Sequence, residues 1–235
     1  MMGLVIKAEG MKIRGICWGL PVIQAVILLG MTAMQWYLQF RQGPGGVFAG
    51  FAVMFMFLSF VVLLGNTLLA SIFAGVEHDT QSWKQMMTIP VPRHHFFTAK
   101  LFWVLTLQIM MIVLTITGTI LIWLLYTNEP IPWGIMIMQP INAVLASVPI
   151  LVIQLWLSVQ FPNQSFPLAI GILGSIASLF LARSGAVWMH WLPWSYPVRS
   201  SPLVPGYMTW VVAGLCVGAL LALLGCIQFS RKQIN

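Results

Sequence analysis

The 235-residue chain has almost no charge: 6% of its residues are Asp, Glu, Lys or Arg, and only four are acidic. Soluble domains carry about 25% charged residues. With 60% hydrophobic residues and a mean hydropathy of +0.93, the chain has no surface to offer water and belongs in a membrane. It lacks the alternation of apolar and polar residues over about ten positions that marks a membrane β-barrel. Its apolar runs are continuous and about twenty residues or longer, the length a helix needs to cross a bilayer. Hydrocarbon leaves every backbone group to be satisfied internally, so the expected fold is an all-α integral membrane protein.

Other absences narrow the function. There is no Gly-x-x-x-x-Gly-Lys-Ser/Thr, and no lysine follows a glycine, so the chain does not bind ATP as P-loop proteins do. No Asp, Glu or His sits at the centre of an apolar run, which argues against proton- or sodium-coupled transport and against intramembrane metal chemistry. His94 and His95 are adjacent, point different ways on a helix, and have no carboxylate spaced to join them; His190 lies among tryptophans. No metal site and no catalytic residue are assigned. Cys17, Cys216 and Cys226 lie in or beside apolar runs, so no disulfide is expected. The net charge of +7 is scattered, with no block of five or six, so it does not mark a nucleic-acid interface.

What is present is a series of apolar runs. Residues 1–15 mix Lys7, Lys12 and Arg14 with apolar positions and suit a short helix lying on the membrane surface. No small-residue cleavage site follows the first run, so it is expected to remain as a span. Six spans are expected, at about 16–40, 47–75, 96–126, 140–161, 166–182 and 207–229. Pro149 is expected to interrupt the fourth.

Six spans put both termini on one side. That side carries Lys7, Lys12, Arg14, Lys84, Arg93, Lys100, Arg231 and Lys232, against Arg41, Arg183 and Arg199 on the other. The positive-inside rule then makes the termini cytoplasmic, and the tryptophans and tyrosines gather at the outer span ends, where amphipathic rings belong. The second and third runs are near thirty residues, roughly 45 Å of helix against roughly 30 Å of hydrocarbon. Either they tilt strongly or their inner ends project.

Between them lies the long polar stretch Val76–Lys100. Glu77 and Asp79 are expected to open a short helix, where acidic groups suit the positive end of the dipole. Thr80, Trp83 and Met87 fall on one face with Met86 beside them, and Pro90 and Pro92 stop the helix. Arg93 and Lys100 flank the next span. The stretch is either a cytoplasmic loop with Trp83 resting on lipid headgroups, or a docking element with Trp and Met at its centre and charges at its rim.

An acidic residue, a short helix, then Lys84-Gln85-Met86-Met87-Thr88-Ile89-Pro90-Val91-Pro92-Arg93 and Lys100 at the next span resembles the first cytoplasmic loop of type-2 ABC exporter permeases. Within that group it is similar to the small permeases of lantibiotic immunity and antimicrobial-peptide resistance. The resemblance implies an ABC-2 permease fold with a coupling helix at about 77–89, which would sit in a groove of a separate ATPase. Its docking residues would be Glu77, Asp79, Trp83, Lys84, Met86, Met87, Pro90 and Arg93. Residues 3–14 would be the interface helix, and 185–206 a pair of short re-entrant helices in a loop that carries four prolines. The working unit would hold two ATPase chains, which bind the ATP and Mg, and a second permease, identical or related. The setting would be the bacterial plasma membrane and the cargo an amphipathic peptide. The other readings are a polytopic anchor for a cytoplasmic partner and a secondary transporter.

Inside the runs, Asn66, Gln108, Asn142 and Gln154 either bond between helices or line a substrate path. Gly214, Gly218 and Ala222 in the sixth run, and Gly171 and Ser175 in the fifth, have the spacing that lets helices approach closely, within one chain or between two.

Overall fold

A computed structural model describes residues 2–13, 15–35, 37–38, 46–79, 91–92 and 94–231; at 46–53, 55, 56, 79, 230 and 231 it describes the backbone alone. The described chain is helical. A short α1 (Met2–Met11) precedes α2 (Gly15–Gln35), α3 (Gly46–Asp79), α4 (His94–Tyr126), α5 (Trp133–Gln160) and α6 (Ser165–Leu181). Two 3-10 turns, Val187–Trp191 and Pro193–Ser195, and the single-turn α7 (Tyr196–Arg199) lead to α8 (Tyr207–Arg231).

Among the described residues, five helices are long and apolar enough to cross a bilayer: α2, the 57–78 part of α3, α4, α5 and the 207–229 part of α8. The sixth expected span is α6, which at 17 residues is about 25 Å long. The 34 residues of α3 and 33 of α4 give helices of about 50 Å, well beyond the hydrocarbon.

α3 and α5 form the centre, with 72% and 67% of their apolar windows buried against 22% for α8. Lipid tails are as apolar as leucine, so these helices are held by close packing rather than by escape from water. Gly214 of α8 lies so near α5 that a Cβ there would meet the Ala146 Cα at 2.7 Å, and one at Gly218 would meet Val148 at 2.6 Å. Gly171 of α6 leaves room for the Thr67 side chain, Ser175 is buried beside it, and Ala222 is part-buried against the Val152–Leu155 cluster. Gly206, at φ 71°, makes the left-handed turn into α8 that a side chain would oppose.

Three expectations change. α3 does not stop near residue 75 but runs on through Glu77 to Asp79, so these two acids close a long helix instead of opening a short one. Ion pairs to Glu77 offset the unfavourable meeting of a carboxylate with a helix C-terminus. α5 begins at Trp133 and continues through both Pro140 and Pro149; in a membrane, neighbouring helices and local adjustment tolerate the lost backbone bond. The 185–206 loop forms 3-10 turns and one α-turn, in keeping with its prolines, and not a pair of helices.

Candidate functional site: a buried ring of charge beside the polar segment

The chain's scarce charges converge at one end of the bundle. Glu9 comes from the last turns of α1 and Lys12 from the turn that follows it. Glu77 comes from the end of α3 and Lys100 from the second turn of α4. Lys100 Nζ donates to Glu9 Oε2 and Glu77 Oε1, both at 2.7 Å, and to the Phe73 carbonyl at 3.2 Å. Those three acceptors match the three protons of an ammonium. Lys12 Nζ reaches Glu9 Oε1 at 2.7 Å and Glu77 Oε1 at 3.1 Å. The four charges thus make a closed ring of two anions and two cations.

Lys100, Glu9 and Glu77 are at most 1% exposed, while the Lys12 side chain keeps an edge to the surface. Burial alone would push the Glu9 carboxyl upward, but the charge of Lys100 and hydrogen bonds from Lys100 and Lys12 outweigh it and hold Glu9 below its ordinary 4.5. Burial likewise works against the charged Lys12, and Glu9 and Glu77 reverse it, lifting Lys12 above 10.5.

The surrounding packing fixes the ring. Trp103 Nε1 on α4 donates to the Ile6 carbonyl of α1 at 2.8 Å. Gly10 lies against the Trp103 ring, where a Cβ would come within 2.5 Å of it. Val5, Phe96, Phe97, Leu155 and Phe229 join α1, α4, α5 and α8 in one apolar cluster. On its other flank, the end of α3 is tied to the α5–α6 turn. His78 Nε2 lies 3.2 Å from the Ser158 carbonyl, and Ser71 donates to Gln164 Oε1 at 3.2 Å.

Of the expected docking residues, Glu77 belongs to this ring and shows no surface to a partner, and Asp79 ends α3. Trp83, Lys84, Met86, Met87, Pro90 and Arg93 lie outside the described residues. Reading along the chain missed Glu9, Lys12 and Lys100 as a cluster. The available signals were the three-residue spacing of Glu9 and Lys12 and the small number of carboxylates a buried lysine could find.

The four polar residues of the spans are all buried and fall between α3, α4, α5 and α6. Asn66 Nδ2 donates to Ser147 Oγ at 3.0 Å, joining α3 to α5. The Gln154 amide, turned to satisfy both its ends, joins α5 to α6 through the Pro167 carbonyl and the Gly171 N–H, each at 3.2 Å. Both amide atoms of Gln108 and the nitrogen of Asn142 have no partner among the described residues. Gln24 of α2, which sequence reading passed over, lies against Gly65, where a Cβ would fall 1.3 Å from its Nε2.

At the opposite end, rings replace ions. Trp210 stacks with Trp191 at 5.3 Å and Tyr196 at 5.8 Å, and the Arg199 guanidinium lies 4.8 Å over its ring. His94 and His95 do not diverge as expected: their rings lie 4.5 Å apart, and no group of three or more potential metal ligands occurs among the described residues.

A chain whose described elements are all helical, with five membrane-length helices and a ring of four ionic side chains at one end, is that of a multi-pass membrane protein. The chain belongs to the ABC-2 family of transporter proteins, whose family model it matches over residues 5–178, a span that includes the whole charged ring. It is therefore a permease component of an ABC transporter, and membership implies an ATPase partner. No curated protein matches it significantly.

Proposed function

We propose that the chain is the permease subunit of an exporter in the bacterial plasma membrane, with α6 as a sixth span and both termini cytoplasmic. The 76–100 stretch carries the ATPase contact, with Trp83, Met86 and Met87 at its centre. Two ATPase chains bind ATP and Mg and push this stretch, and a second permease chain completes the path. The cargo is an amphipathic peptide of the lantibiotic type, taken from the membrane to the outside. Asn66, Gln108, Asn142 and Gln154 line part of its route.

The observation that carries this reading is the placement of the polar stretch. It joins two helices of about 50 Å in a chain of the ABC-2 family that has no P-loop of its own. Force applied there enters the bundle through its central helix, and such coupling is a rigid-body transition between discrete states. The uneven distribution of Lys and Arg supports the orientation.

Co-purification tests it. The tagged chain should bring down an ATPase, and Trp83→Ala with Met87→Ala should weaken that association at least tenfold. Hydrolysis by the purified complex should rise when cationic amphipathic peptides are added. Absence of any ATPase from the complex would leave the chain as an anchor for another partner, and no stimulation by any peptide would remove the peptide cargo.

A further inference from the structure

Two sides of the charged ring leave α1 and two do not. Glu9–Lys100 and Lys12–Glu77 cross from the N-terminal segment to α4 and α3, at 2.7 and 3.1 Å. Glu77–Lys100, at 2.7 Å, joins the end of α3 to the start of α4 without α1. The polar and aromatic contacts of α1 fall on α4, where Ile6 and Gly10 rest on Trp103 and Met2 meets Thr98, while Val5 enters the apolar cluster shared by α3, α4, α5 and α8. Among the described residues, the Lys12–Glu77 pair ties the N-terminal segment to α3. Leu4 and Met11, on the outer face of α1, are 74% and 76% exposed.

We propose that Glu9 and Lys12 are positioning residues that lock α1 to the end of α3 and the start of α4, so that all three move as one body during the ATP-driven cycle. This rests on the reading of the chain as a permease driven at its 76–100 stretch. The physical ground is the closed ring. Sliding α1 away from either anchor strips a partner from Lys100 and from Glu77 at once, and buried charges resist losing partners far more than exposed ones do. Buried ion pairs seldom add stability over apolar groups of the same size, and their best-attested use is to set register. Here the register is that of an N-terminal helix against two helices that reach far past the hydrocarbon.

The double variant Glu9→Gln/Lys12→Met tests this with little risk to folding. It removes one charge of each sign and leaves the Glu77–Lys100 pair and the Trp103 contacts in place. The complex of the chain with its ATPase, free of native cysteines, is spin-labelled at Met11→Cys with Trp188→Cys, or at His94→Cys with Trp188→Cys. Both distance distributions should shift on addition of ATP and vanadate. In the double variant the His94 shift should persist while the Met11 shift shrinks and its distribution broadens, because α1 keeps only its Trp103 and apolar contacts, and Lys12→Arg should keep both. An unchanged Met11 shift in the double variant overturns the proposal, as does a stationary Met11 label in the parent while the His94 label moves. If neither label moves, or no ATPase co-purifies, the permease reading fails and takes the proposal with it.

Discussion

At one end of the bundle, four charged side chains join α1, α3 and α4 through ion pairs of 2.7–3.1 Å. At the other, Trp210 gathers Trp191, Tyr196 and Arg199 at 4.8–5.8 Å, with the Tyr196 hydroxyl donating to the Trp191 carbonyl at 2.8 Å. Both arrangements tie a non-spanning segment to the spans. They differ in how they fail. Each ion depends on partners of opposite sign, so losing one leaves a charge stranded in a poorly solvated place. Ring contacts are each worth about 0.5–1.5 kcal/mol and are lost one at a time. Removing a single ion therefore upsets the whole charged end, whereas the aromatic end is graded.

The largest expected effect is at the charged end. Lys100→Met removes the hub and leaves Glu9 and Glu77 with Lys12 as their cation among the described residues, at an expected cost of about 3–5 kcal/mol, read as thermal unfolding in detergent. A cost below about 1 kcal/mol would erase the contrast between the ends. Next comes Trp210→Ala, which forfeits ring contacts to His190, Trp191 and Tyr196 and a cation–π contact to Arg199, for about 2–3 kcal/mol by the same measurement. Its loss should be divisible, with Tyr196→Phe costing about 1 kcal/mol, the worth of one hydrogen bond.

The smallest effect is that of pH. Glu9 has a folded pKa below 4.5, so its contribution is complete above pH 4.5 and is lost as the pH falls through the folded value. Lys12 lies above 10.5, so its contribution is complete below pH 10.5 and is lost as the pH rises through its own folded value. The mobility of a spin label at Met11 should stay flat between those limits and rise on either side. A change near neutral pH would mean that some other group holds α1.

The sequence showed the class of fold because a bilayer leaves few choices: long apolar runs become helices, and scarce charges collect at their ends. It showed Asn66 and Gln154 as singular because a polar residue inside such a run stands out locally. The ring was another matter. Glu9 and Lys100 are 91 residues apart, and Lys12 and Glu77 are 65 apart. No local pattern encodes the crossing of α1 with α3 and α4, and Lys100 reads along the chain as an ordinary flanking cation. The run through Pro140 and Pro149 was hidden for a different reason. The rule that proline breaks a helix assumes water is ready to receive the freed groups, and inside a bundle the neighbouring helices take that part.

The ring also changes the face that the protein turns outward. It takes up two of the four acidic residues and two of the eleven basic ones, and, being neutral, leaves the net charge of +7 unchanged. What it changes is local: Glu9 and Glu77 are buried, so neither carboxylate faces a headgroup, and a cation near an anionic bilayer is worth about 1 kcal/mol of attraction. By pairing its carboxylates inward, the chain keeps two anions of its own from repelling an anionic leaflet beside α1.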